Sequence, residues 1–285
     1  MKKIVTFVAL LISVISLVSC SLYEKEIEGS KDYTTKTFTL DDADSFEFEN
    51  VKVKNKSTYL PTIEMYPGLE KSIEIYTDTT TLEHITVKIK NSEIKIYGDR
   101  KEVYITEHFD VKIYGYVFDD IDISTANIKS LTYSPSNLSL DLSGAAICKI
   151  APMICNELEL DISGASLFNS DLALKELSLD ISGASSFTSA LAVDRVNLDI
   201  SGASDVDLSG LVTDLVVDMS GASKLDSKSL VSQDVEVEIS GASDAKITFV
   251  SSLKGEISGA SDLIYYGDSS KVDVKTSGAS DVDKG

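Results

Sequence analysis

Few residues in this 285-residue chain carry side chains suited to covalent or metal chemistry: three Cys, two His and two Arg, the last being Arg100 and Arg195. His84 and His108 lie in the N-terminal half without Cys or carboxylate at zinc-ligand spacing, so both read as surface or turn residues. Cys148 and Cys155 are seven residues apart. An oxidising compartment would permit a disulfide between them, while an apolar position for Cys148 would make it a buried thiol instead. Ser-Gly-Ala-Ser or its Ala variant recurs eight times, but it does not form Gly-x-Ser-x-Gly, and eight copies of a nucleophile serve no single reaction. Carboxylates dominate, with 46 Asp and Glu against 26 Lys and Arg and a formal charge of −20. That charge excludes a nucleic-acid binder, which needs clustered Lys and Arg to neutralise phosphates. It also disfavours docking on anionic lipid through a basic patch. What remains to consider is an ordered array of acids.

The repeat supplies that order. The Gly of each copy falls at Gly144, Gly164, Gly183, Gly202, Gly221, Gly241, Gly259 and Gly278, with spacings of 20, 19, 19, 19, 20, 18 and 19. Ahead of each Gly, positions −6, −4 and −2 are apolar, as in Leu158, Leu160 and Ile162, and −5 and −3 are polar, as in Glu159 and Asp161. Such period-two alternation is a strand with one dry face. Position +4 is again mostly apolar (Phe168, Phe187, Val206, Leu225), and pairs such as Leu172/Leu174 and Leu191/Val193 predict a further short strand. A helix would scatter these residues all round its surface.

A unit of 19 residues cannot bury its apolar face alone, but identical units stacked in register bury a continuous core. The spacing therefore predicts an all-β parallel β-helix of about 19-residue coils, neighbouring coils about 4.8 Å apart, with the Gly at a corner that needs positive φ. A propeller needs blades of about 40–45 residues and does not fit. Stacking puts position −3, namely Asp141, Asp161, Asp180, Asp199, Asp218, Glu238, Glu256 and then Lys275, in one outward row. Two readings stay open: a row facing water, or a stripe for Ca²⁺ or a cationic ligand with Asp161, Asp180, Asp199 and Asp218 as its candidate ligands. Like charges in line raise the folded carboxyl pKa on either reading.

From about residue 35 to residue 127 the chain is β-rich but lacks the repeat, with strand-like segments at 37–40, 72–76, 85–89, 94–97, 103–105 and 111–116. This part reads as an irregular cap on the solenoid edge. With 43% apolar residues and a mean hydropathy of +0.05, the chain has material for one sizeable core or two modest ones.

At the N-terminus, Lys2 and Lys3 precede an apolar run over residues 4–18, too short to span a bilayer. The ending Leu17-Val18-Ser19-Cys20 resembles the lipobox of bacterial lipoproteins, which implies cleavage before Cys20 and a lipid on it; an ordinary secretory peptide is the alternative. With Ser21 rather than Asp next, the same resemblance implies the outer membrane, on its surface or its periplasmic side. Residues 21–35 are polar and read as a tether reaching about 20 Å as a coil. The expected division is a signal peptide (1–19), a lipidated tether (20–35), a β-rich cap (36–127) and the repeat β-helix (128–285).

Tyr66-Pro67-Gly68 with Ser72-Ile73-Glu74-Ile75, the Ser-Gly-Ala-Ser ladder, and Tyr265-Tyr266-Gly267 ahead of Ser277-Gly278-Ala279 together resemble the putative auto-transporter adhesin, head GIN domain family over about residues 35–285. The resemblance implies a right-handed β-helix and no catalytic residues. Function is accordingly expected to be a non-catalytic surface, adhesion or scaffold module. Its expected partners are the membrane through Cys20, a glycan, an envelope or host protein, or another copy of itself. The alternative is a β-helix enzyme of the polysaccharide-lyase kind, which would need loop insertions that coils of near-constant length lack.

Overall fold

The computed structural model describes residues 24–54, 60–133 and 135–285; Lys2, Lys3, the apolar run and Cys20 lie outside them. The chain is 64% strand and 3% helix, wound into a β-solenoid of about nine coils with roughly 19-residue spacing. Each coil has a long face ahead of the Gly corner, a second face after it and a third face leading to the next coil. Glu157–Ile162, Leu167–Asn169 and the first residues of Leu172–Ile181 trace one such coil. Farther along, single bent strands run through all three faces, as in Ser186–Ile200, Asp205–Met219 and Lys224–Ile239.

Inward positions fall where the alternation puts them. Leu158, Leu160 and Ile162 are buried, as are Phe168, Phe187, Val206 and Leu225 at position +4. Like side chains stack on like: Leu160 stands in register with Leu140 and Leu179. The Phe168 and Phe187 rings lie 5.2 Å apart and nearly parallel at 17°, the offset-stacked contact that adds to simple burial.

The corner requires its glycine twice over. Gly202 has φ +73°, and a Cβ there would stand 2.5 Å from the carbonyl oxygen of Gly183 in the preceding coil. That closeness lets the next residue's amide reach the same carbonyl: Ala203 N–H donates to Gly183 O at 2.8 Å. The fourth residue of the motif turns inward and is buried at Ser166, Ser185, Ser204, Ser223, Ser243 and Ser261. Ser204, Ser223 and Ser243 each donate to the carbonyl three residues earlier at 2.9–3.0 Å, so these hydroxyls are spent inside the corner.

The N-terminal part is built into the solenoid, out of chain order. On the long face, Ser45–Glu49 lies parallel between Glu93–Tyr97 and Asp120–Ser124. Asp120–Ser124 in turn pairs with the first repeat strand, Asn137–Ser143. The second face does likewise: Thr62–Tyr66 sits between Phe109–Tyr114 and Asn127–Leu131. Thr86–Lys90 closes the long face antiparallel. On the second face Ser72–Asp78 runs antiparallel to both Phe109–Tyr114 and Tyr33–Phe38. A one-turn helix, Thr79–Glu83, is capped by the buried Asp78, which accepts from Thr81 N–H at 3.0 Å.

Two expectations are corrected here. The stretch expected as a tether over 20–35 is partly folded: Lys25–Glu28 pairs parallel with Glu102–Ile105, and Tyr33–Phe38 joins the second-face sheet. These edge strands have few inward residues, Ile27 being the buried one of the first, so their sequence looks polar. The expected division at 127/128 is not a structural break either, since Asp120–Ser124 bonds to the N-terminal part on one side and to the repeat on the other.

Candidate functional site

Register assembles the acids. Down the long face, Glu47, Asp122, Asp141, Asp161, Asp180, Asp199, Asp218, Glu238 and Glu256 follow one another at equivalent positions. Lys95 stands at one end of this line and Lys275 at the other. The whole run from Asp141 to Lys275 lies where the spacing predicts. Sequence reading missed Glu47, Asp122 and Lys95, although Phe46-Glu47-Phe48 and Ile121-Asp122-Ile123 carry the same alternation. Their corners are Asn50 and Thr125, with φ +58° and +56°, in place of Gly.

Each Lys neutralises its end. Lys95 Nζ contacts Glu47 at 2.5 Å and Glu49 at 2.8 Å in a half-buried triad, whereas Lys275 meets Glu256 at 3.1 Å in the open. Between them carboxyls face carboxyls. Burial pushes Asp122 up to about 6, helped by Asp141, Glu47, Glu49 and Asp120. Asp141, Asp161, Asp180 and Asp199 are also raised, burial leading and neighbouring acids following. Like charge was the expected cause; partial burial outranks it because each short Asp sits between the side chains of the coils above and below.

The row is a line, not a cage. Among the described residues no group of three or more His, Cys, Asp or Glu is arranged to hold a metal ion. The surface along Asp161, Asp180, Asp199 and Asp218 is a shallow groove shared with Ser178, Asn197 and Val216. Such a strip displays charge and can meet cationic or hydrogen-bonding groups over several coils.

Other candidates are placed as follows. Cys148 is buried in register with Phe168, and Cys155 is half-buried at the core margin; both are free thiols, so the disulfide considered above is not formed. Cys148 takes the inward +4 position, where its neighbours are side chains of adjacent coils. Arg195 stands in register between Glu176 and Asp214. His84 contacts Glu102 at 2.8 Å, beside Lys25 on the same carboxylate. His108 packs edge-on against Tyr33 at 5.3 Å. These positions gather no nucleophile, base and oxyanion donors around one point.

The sequence profile described as "Putative auto-transporter adhesin, head GIN domain" matches residues 47–171 and 167–269. No curated protein matches the chain. Among solved structures, a protein from Parabacteroides distasonis described as a putative adhesin superposes with a TM-score of 0.67 at 15% identity, covering 92% of this chain and 100% of that one. A putative adhesin from Parabacteroides merdae gives 0.62 at 18% identity, covering 91% and 99%. A third, named a putative lipid binding protein, from Parabacteroides distasonis, gives 0.64 at 14%, covering 92% and 100%. At these identities the likeness is one of fold.

Proposed function

Because the chain belongs to the putative auto-transporter adhesin, head GIN domain family, we propose that it is a non-catalytic adhesion module, held on the outer membrane by lipid on Cys20. The observation that carries this reading is the solenoid itself. Its described faces are largely polar and repetitive, and a strip of nine acids runs down the long face between Lys95 and Lys275. Surfaces of this kind bind extended partners through many modest contacts rather than enclosing one small molecule. A glycan or an envelope or host protein fits that description. Lipid on one Cys with several acyl chains supplies enough buried CH₂ for stable anchoring. With folded strand beginning at Lys25, few residues remain between Cys20 and the body, so it would stand close to the membrane.

Two measurements test the reading. Cells carrying Cys20→Ala should lose the chain from the membrane fraction and lose lipid label. Chain from Ser21 onward, which contains every described strand, should bind immobilised glycans or matrix proteins saturably. The opposing outcome is release of unsaturated products from uronate polymers, followed by ultraviolet absorbance and abolished by one Asp substitution. That result would make the chain an enzyme.

A further inference from the structure

The two ends of the solenoid are finished differently. At the N-terminal end the last strand on the long face, Thr86–Lys90, runs antiparallel and exposes Lys88 and Lys90. At the other end Val272–Thr276 pairs back with residues 253–257 and Asp281–Lys284 with residues 262–265. Among the described residues no strand lies on their outer side. The inward Val272, Val274 and Val282 are only partly buried, while Leu253 and Ile257 one coil back are 0% and 1% exposed. Among the described residues nothing covers the end of the apolar core beside this strand edge, and such an edge is the usual template for a further strand.

We propose that this edge is a dimer interface: Val272–Thr276 pairs antiparallel with the same strand of a second copy, about a two-fold axis at Val274. Backbone direction selects the register. Ser277 N–H donates back to Ile257 O at 2.9 Å. Amide directions alternate along a strand, so those of Lys275 and Asp273 also point back, leaving those of Val272, Val274 and Thr276 facing out. Only a register that opposes residues of this second set uses the free groups. Centred on Val274, it makes Val274 face its own copy as a hydrogen-bonded pair and Val272 face Thr276. Asp273 then meets Lys275 of the second copy at a non-hydrogen-bonded pair, where side chains approach most closely. The strand is therefore self-complementary in charge, twice per dimer. Lys275 already contacts Glu256, and its ammonium has donors for both acids. The N-terminal edge fails the same test, since centring Thr86–Lys90 on itself sets Lys88 against Lys88. A two-fold contact is closed, so the product is a pair and not a fibre. With one coil's cross-section covered, the interface belongs to the small, weak class.

The test is sedimentation equilibrium of the chain from Ser21 onward, over concentrations up to hundreds of micromolar, with circular dichroism to confirm folding. The expected result is a monomer–dimer equilibrium. Val274→Pro should give monomer at every concentration with an unchanged melting temperature, because the amide it removes has no partner within one copy. Asp273→Lys should weaken association roughly tenfold by opposing two pairs of lysines, and Asp273→Lys with Lys275→Asp should restore it. Monomer throughout for the unaltered chain, a dimer indifferent to Val274→Pro, or open-ended growth to larger species would each overturn the proposal.

Discussion

The coils before about residue 120 and those after it bury their cores by different means. In the repeat each strand residue pairs with the residue one coil away, and the core is mostly Leu, Ile and Val stacked on their own kind. In the N-terminal coils partners are far apart in sequence, as in Glu47 with Lys95 and Thr62 with Asp110, each 48 residues away. There the core is filled by aromatics such as Phe46, Phe48, Tyr104, Phe109, Tyr116 and Phe118. Charge divides the same way. Residues 24–119 hold 13 basic and 20 acidic side chains, residues 120–285 hold 11 and 26, and eight of the ten ion pairs made by Lys or Arg among described residues lie in the former. Repetition specifies register by identity of neighbours; without repetition, specific pairs and shapes must do so.

Removing residues separates the two regimes most sharply. Deleting 184–202, one whole repeat, returns each inward side chain to an equivalent place, and cooperative unfolding should survive with a lowered midpoint. Deleting 184–193 shifts the pleat and should abolish cooperative unfolding altogether, as followed by circular dichroism in urea. Equal damage from both would end the comparison.

The corners give the next largest effect. Gly202→Ala places a Cβ against Gly183 O at positive φ and should cost on the order of 3 kcal/mol. Thr125→Gly, at the equivalent non-repeat corner with φ +56°, should be neutral or stabilise by up to about 1 kcal/mol, since it relieves a conformation Thr dislikes. Chemical denaturation measures both.

The lysines at the two ends of the acid row should differ less, but in a fixed order. Lys95→Met breaks a triad whose side chains are 17–24% exposed and should cost about 1–2 kcal/mol. Lys275→Met removes a pair exposed at 77% and 69% and should stay within about 0.5 kcal/mol.

Acidity pulls the regions in opposite directions. Asp122, raised to about 6, contributes stability that is fully present below its ordinary value of 3.8 and is lost as pH rises through about 6. The raised Asp141, Asp161, Asp180 and Asp199 act with the same sign. In the N-terminal coils Glu49 is held low by Lys95. Asp78 and Glu102 are low although burial opposes it, through bonds from Thr81, Thr106 and Ser30 and from Lys25 and His84. Their contribution is present above the ordinary carboxyl range and lost as pH falls through their lowered values. Hydrogen exchange should therefore show the repeat tightening from pH 7 to 5 and the N-terminal coils loosening as pH falls below the ordinary carboxyl range. Asp122→Asn should flatten the upper limb. The smallest effect concerns cations: Ca²⁺, Mg²⁺ and NaCl of matched ionic strength should raise the melting temperature alike, because the carboxylates run in line rather than converge.

Repeat residues were legible because each answers to a local rule. Period two told which of Leu158, Glu159, Leu160 and Asp161 faces inward, and the 19-residue interval told which residues stand above and below. Both rules survive at Val282 and Leu263, and by themselves they put Asp141 through Lys275 on one line. They fall short at Ser45–Glu49 and Thr62–Tyr66, whose alternation covers only two inward residues or starts with a buried Thr. They also fall short at Lys25–Glu28, where one Ile among charged residues does not distinguish a strand from a tether.

What the sequence determined by itself is therefore the solenoid, its coil length, its glycine corners and the inward or outward sense of each repeat side chain. All of these follow from contacts within a residue's own coil or with the next copy. Only the tertiary structure decided that the coil beginning at Ser45 lies between those beginning at Glu93 and Asp120, and so that Glu47 and Asp122 extend the acid row with Lys95 closing it. The physical reason is that any in-register stack of alternating strands satisfies the backbone equally well. Which strands become neighbours is chosen by side-chain volume and charge, such as the ring of Phe46 on Phe118 at 5.5 Å and the ammonium of Lys95 between Glu47 and Glu49. Those choices leave no periodic trace along the chain.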